Sequence, residues 1–490
     1  MATRAVSGPR LDIPTSQLPT LPGVPMSEPF HAIPSFYGTE TPLRFEADVH
    51  DCEVIGRIPS ELEGTLYRAG PDTQFPTLAA DNIVNGDGMV SSFDFRDGHV
   101  AFKCRYVKTE RFLKERAARG RLYGKYRNQH TDAAETHGTD RDNTGNTTAF
   151  FHAGRLLALR EDSYPHQIDP DTLETLPKWD FAGQLKGMSL TAHPKIDPVT
   201  GEWWSYGFYC RGTLDADMAL QVIDAKGKVV REEFFQSPYA GLAHDFGVTR
   251  EHVIFAVMPL TTDAARIAAG GDFYAYDPDL PSLWGIMRRD ATVDTIRWFK
   301  LHECVSGHIM NAYTDGDMVH IDATISKGSA FPFFNDVHGN KVDPAQGIPL
   351  VTRLSFDLSS AEDKVTRTPF PGAMGEMPRC DPRYAMAAYR WGFIKTRNGI
   401  GRLDWKTREL AEHVIPGGSS QEPVFVPRRA DSAEGDGFLL SLVNKPAEGC
   451  AELYVLDAQH MEAPPLARVR LPFKQPMAFH GNFVPRAERP

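Results

Sequence analysis

Short runs of apolar or alternating residues, each bounded by turn formers, recur along the chain from about residue 50 onward. GRLLALRED (154–162), HVIFAVMPL (252–260), DMVHIDATI (317–325), GFLLSLVN (437–444) and AELYVLDA (451–458) are examples. Runs this short, set between Gly, Asp, Asn and Pro, predict strands rather than helices. Asp97-Gly98, Asp315-Gly316 and Asp436-Gly437 predict tight hairpins, because glycine tolerates the positive φ of such turns. Helical periodicity is sparse. It is clearest from Thr109 to Asn128, with Thr109 as N-cap, Leu113, Ala117 and Leu122 as an apolar stripe, and the Arg and Lys side chains on a solvated face.

So many short strands require an arrangement that hides their edges, which predicts a large, closed, all-β architecture. No fixed-period repeat of the WD or kelch kind marks the blades of a propeller. Residues 1–45 are rich in Pro, Ser and Thr and read as an extended arm. No linker divides the rest, so residues 46–490 are expected to form one domain.

Composition narrows the function classes. Hydrophobic residues make up 41% and charged residues 24%, ordinary for a soluble globular protein. A formal charge of −11 argues against a nucleic-acid partner, which calls for a basic surface. The N-terminal segment lacks the apolar stretch of a secretory signal, and no run approaches the ~20 apolar residues of a membrane span. The six cysteines are scattered without a C-x-x-C pair, which suggests reduced thiols and a cytoplasmic location. Nothing in the sequence fixes the oligomeric state.

Four histidines in distinctive contexts carry the candidate chemistry: His193 in TAHPKIDPVTGE, His244 in GLAHDFG, His308 in SGHIMNAY and His480 in FHGNFVPR. They have neither cysteine partners nor metal-finger spacing, so only the fold can assemble them into one site. Four neutral imidazoles would leave a divalent iron its full charge, with positions open for dioxygen. Singly, each is an ordinary polar residue, and His252, His302 and His320 lie close enough to be alternatives. A metal-bound imidazole needs a partner for its other ring nitrogen. Glu161, Glu376 and Glu422 suit that role, since each adjoins apolar or proline-flanked residues where a lone carboxylate is costly. The plainer reading of these glutamates is a salt bridge to an arginine such as Arg379 or Arg428.

With these motifs in their order, from GTLYRAGPD (64–72) and NGDGMVSSFDFRDGHV (85–100) to FHGNFVPR (479–486), the chain resembles the carotenoid cleavage oxygenases over nearly its whole length. These are iron(II) enzymes that split carbon–carbon double bonds into two carbonyls. The resemblance implies a seven-bladed β-propeller with loops and short helices capping the iron-binding face. It implies His193, His244, His308 and His480 as iron ligands, and Glu161, Glu376 and Glu422 as the residues orienting three of them.

The segments LYGKYRNQHTD (122–132) and NTTAFFHAGRLLALRED (146–162) are most similar to the lignostilbene and resveratrol dioxygenase and isoeugenol monooxygenase branch. There a Tyr and a Lys hold the substrate's 4-hydroxyl group. Tyr126 matches the Tyr, whereas the Lys position is occupied by Arg160, a permanently charged planar fork. The expected activity is oxygen-dependent cleavage of the alkene of a 4-hydroxyphenyl substrate, such as a stilbene, isoeugenol or 4-vinylguaiacol, to aromatic aldehydes such as vanillin. Phe331, Phe333 and Phe334 are expected to wall the substrate channel. A carotenoid or apocarotenoid cleaver is the alternative enzyme, and a non-catalytic propeller that binds partners is the alternative of another class.

Overall fold

The computed structural model describes residues 30–36, 38–78, 81–136, 143–212 and 214–489. Its described strands lie mostly in antiparallel meanders, as the expected all-β class requires. Lys195–Ile196 through Val229–Gln236 make a four-stranded sheet, Gly241–Leu242 through Arg297–Leu301 a six-stranded one, and Val305–Asp315 through Glu409–Val414 a seven-stranded one. The succession is compatible with seven blades. His252–Thr261 is buried along all but its last residue, which explains its long apolar run.

The two ends of the chain close the ring. His480–Pro485 pairs antiparallel with Gly64–Asp72, with His480 opposite Ala69, and touches Thr148 on its other side. Ala467–Leu471 likewise pairs with Glu53–Gly56. These long-range pairings leave few exposed edges. They also set His480 beside segments more than three hundred residues away.

Local expectations fared unevenly. Asp97 and Gly98, at φ 52° and 81°, form the two-residue turn between Asp87–Arg96 and His99–Tyr106. Asp315 ends its strand, and the turn itself is Gly316-Asp317. Asp436-Gly437 is not a hairpin turn: Gly437 opens the strand Gly437–Lys445, and a nine-residue loop separates it from Val424–Pro427.

The helix is shorter than the periodicity predicted, Glu110–Ala118, capped by Thr109 through the Phe112 amide. Its buried face is also different. Leu113 is 51% exposed, whereas Arg111 is buried, donating to Asn85 Oδ1 at 2.8 Å and to the Asn85 carbonyl at 2.9 Å. A guanidinium hydrogen-bonded through both terminal nitrogens can occupy a core position that the apolar pattern assigned elsewhere.

Part of the N-terminal arm packs onto the body. Ile33–Ser35 pairs with Gly38–Glu40, and Ile33 is buried against Ile83, Met477 and Phe479. Among the described residues no helix is long and apolar enough to cross a membrane. All six cysteines are free.

Candidate metal centre and substrate cavity

Each of the four histidines sits at or near the beginning of a meander. His193 immediately precedes the Lys195–Ile196 hairpin, His244 lies between Gly241–Leu242 and Phe246–Val248, His308 is in the first strand of its sheet, and His480 is the first residue of the closing strand. Their rings converge. His244 Nε2 lies 3.2 Å from His193 Nε2 and 3.1 Å from His308 Nε2. The His480 ring centroid is 4.5 Å from that of His193 and 4.8 Å from that of His308. His252 and His320 are elsewhere, against Thr314 and Ser355 respectively, and His302 is exposed.

The three glutamates stand behind this cluster. His244 Nδ1 donates to Glu161 Oε2 at 2.8 Å, His308 Nδ1 to Glu376 Oε2 at 2.7 Å, and His480 Nδ1 to Glu422 Oε1 at 2.8 Å. His193 has no carboxylate among its described hydrogen-bond partners. The salt-bridge alternative holds for Glu422 simultaneously, because Arg379 Nε donates to the same oxygen at 2.8 Å. Arg428 instead pairs with Asp436 and Asp457.

Burial would raise the pKa of Glu422, but Arg379 and His480 hold it down to about 2. Burial opposes ionisation of Glu376 as well, and His308, Thr324 and the Met377 amide bring it below the usual carboxylate range. Burial and the neighbouring imidazoles push His193 far below its ordinary value.

These contacts test whether the site suits a metal. With Nδ1 of His244, His308 and His480 turned to carboxylates, Nε2 of His244 faces Nε2 of both His193 and His308, so the converging imidazoles form a nitrogen donor set that fits a divalent metal. Glu161 also comes within 4.8 Å of ligand atoms of His193 and His244. Its bond to His244 Nδ1 nevertheless places it behind the imidazole.

Two residues missed by sequence reasoning shape the cluster. A Cβ on Gly307 would meet Glu376 Oε1 at 2.0 Å, so the missing side chain is what lets Glu376 reach His308. Asp245 ties three histidine segments together. It accepts from Lys195 Nζ at 2.8 Å and from the Ile309 amide at 2.7 Å, next to His244 itself. An acid beside a histidine in the otherwise apolar LAHDFG was the available signal.

A cavity of about 280 Å³ runs past His244, His308 and His480, and its wall includes Tyr126 and Arg160. A second cavity of about 390 Å³, bordered by Lys195, Asp245 and Arg379, meets the cluster at His193, His308 and His480. Tyr126 is buried in the first wall between Tyr274 and Phe334, at 6.3 and 6.2 Å between ring centroids. Its hydroxyl has no hydrogen-bond partner among the described residues. Burial raises its pKa well above the ordinary value, against the pull of Arg160, so the hydroxyl remains a donor.

Arg160 is buried, with its guanidinium 5.1 Å from the centre of the Tyr126 ring. It donates to Thr144 Oγ1 at 2.6 Å and pairs with Asp162 at 3.2 Å, so it is both an ion-pair member and part of the cavity wall. Asp162 also pairs with Arg127 at 3.3 Å. Phe331 and Phe334 line the cavity. Phe333 is not among the lining residues and packs on Phe36 and Phe334, at 5.0 and 4.9 Å between ring centroids.

Known proteins of this architecture carry related names. The family described as retinal pigment epithelial membrane protein (RPE65) matches residues 40–485. Isoeugenol monooxygenase of Pseudomonas nitroreducens is 38% identical, over 92% of this chain and 98% of its own. Lignostilbene-α,β-dioxygenase isozyme III of Sphingomonas paucimobilis is also 38% identical, over 92% and 97%. The crystal structure of Pseudomonas brassicacearum lignostilbene dioxygenase superimposes with a TM-score of 0.90 at 37% identity, covering 94% of this chain and all of that one. With its converging imidazoles, the carboxylates behind them and the closed all-β ring, the chain belongs to the RPE65/carotenoid cleavage oxygenase family.

Proposed function

We propose that this protein is a non-haem iron(II) oxygenase that uses dioxygen to cleave the double bond of a 4-hydroxyphenyl alkene, a stilbene or a phenylpropene such as isoeugenol or 4-vinylguaiacol. The products are aromatic aldehydes such as vanillin. One observation carries the reading: a single small cavity joins the imidazole cluster to the Tyr126–Arg160 pair. The sequence relatives named for isoeugenol and lignostilbene support it.

In this reading His193, His244, His308 and His480 hold ferrous iron, which supplies the oxygen-activating chemistry when bound. Glu161, Glu376 and Glu422 keep three Nδ1 protons in place, so that each Nε2 presents a lone pair. The Tyr126 hydroxyl donates to the substrate's 4-oxygen. The Arg160 guanidinium favours that oxygen as the phenolate, which pushes electron density toward the conjugated alkene. Phe331 and Phe334 exclude water from the reacting carbons. Residues 46–490 act as one catalytic unit to which Phe36 of the arm adds part of the cavity wall; residues 1–29 of the expected arm lie outside the described residues, and the free cysteines favour the cytoplasm.

A carotenoid cleaver fits less well. About 280 Å³ lies just below the usual size of ligand pockets (~300–1,000 Å³), and a long polyene has no use for a buried Arg160. The test is product identification after iron-reconstituted protein meets isoeugenol, 4-hydroxystilbene and an apocarotenal under air. Aldehydes from the two phenolic alkenes are expected. Consumption of the polyene alone would overturn the reading, and no consumption of any alkene by iron-loaded protein would favour a binding module.

A further inference from the structure

The aromatic wall orders the cavity from end to end. From Tyr126 the ring centroids step 6.2 Å to Phe334, 6.4 Å to Phe331, 5.7 Å to Phe36 and 6.0 Å to Phe479. Phe331 also lies 5.3 Å from the His244 ring, which marks the reacting position along this series. In this series of contacts Tyr126 and Arg160 connect to Phe331 through Phe334, while Phe36 and Phe479 connect to it directly and in turn. Phe36 comes from the N-terminal arm, beside the anchored Ile33.

Polar wall residues apart from the histidines, their glutamates and the tyrosine–arginine end are already engaged. Asn146 donates to the carbonyls of Val84 and Gly86 and accepts from Thr147, and the Ser329 hydroxyl accepts from the Phe331 amide. Phe36, Ala330 and Phe479 add aromatic and aliphatic surface to the same cavity, and Ile348, 55% exposed, marks where its wall reaches solvent.

We infer that Phe36 is a specificity-determining residue: with Phe331 and Phe479 it forms the platform for the alkene's second substituent and selects an apolar one, preferably an unhydroxylated aryl ring. This rests on the proposed function, since it assumes that a 4-hydroxyphenyl group occupies the Tyr126 end. A ring placed there gains aromatic contacts that a methyl group cannot make. Hydroxyls on the part of that ring covered by Phe331, Phe36 and Phe479 would lose water and gain no partner from these side chains.

The test compares steady-state kinetics of the full-length, iron-loaded wild type with Phe36→Ala and Phe36→Leu. The substrates are 4-hydroxystilbene, its counterpart with 3,5-dihydroxylation of the distal ring, and isoeugenol. For 4-hydroxystilbene, Phe36→Ala is expected to raise KM about tenfold and Phe36→Leu less, with a smaller loss for isoeugenol, whose methyl group covers less of the platform. The wild type is expected to favour 4-hydroxystilbene over its dihydroxylated counterpart. Equal losses on stilbene and isoeugenol, unchanged stilbene kinetics in both variants, or equal use of the dihydroxylated ring would overturn the inference alone. Wild type that cleaves none of the three would overturn the proposed function with it.

Discussion

The guanidinium of Arg160 lies over the Tyr126 ring while pairing with Asp162, so the charge at this end of the cavity is fixed on two sides before any substrate enters. A lysine there could give up its proton, whereas this arginine cannot. Arg160→Ala should raise KM for 4-hydroxylated alkenes about tenfold to a hundredfold and leave bound iron unchanged. Kinetics with parallel metal analysis check both, and unaltered kinetics would remove Arg160 from substrate binding.

Gly307 gives a steric test of the carboxylate behind His308. In Gly307→Ala the new methyl group must displace Glu376, which should lower iron affinity by about tenfold to a hundredfold. Titrating apo-protein with ferrous iron under anaerobic conditions measures the loss. Wild-type affinity would mean that Glu376 can move without consequence.

Asp245 makes a separate prediction. Asp245→Asn keeps the shape but weakens the bridge from Lys195 to the His308 strand. Iron affinity should fall by about tenfold while the circular dichroism spectrum is retained. A fall in thermal stability with unchanged affinity would assign Asp245 to the fold alone.

The imidazoles were legible because each sits in its own distinctive motif, and the glutamates because a carboxylate in apolar surroundings demands a partner. Asp245, Gly307 and Phe36 were not, since their importance comes from contacts with residues that the sequence does not reveal as neighbours. Phe36 in particular reaches Phe331 and Phe479 only because its segment packs onto the body beside Met477 and Phe479. Phe333 was assigned to the cavity by adjacency, but its ring packs on Phe36 and Phe334 and is not part of the lining.

The short helix shows the same limit. Apolar periodicity selected Leu113, yet the packed position belongs to Arg111, whose hydrogen bonds to Asn85 are invisible in the sequence. Arg111→Ala should therefore cost about 2–4 kcal/mol, because it leaves Asn85 Oδ1 and the Asn85 carbonyl without their donor in the interior, and Leu113→Ser within about 0.5 kcal/mol of nothing. Chemical denaturation midpoints compare them, and the reverse order would refute this assignment of the buried face.

The central claim is that imidazoles from four distant segments hold one iron. Metal content after anaerobic reconstitution and desalting, in wild type and His308→Ala, tests it most directly. One iron per chain in the wild type and little in the variant is predicted. Equal iron in both proteins, or none in either, would contradict the account.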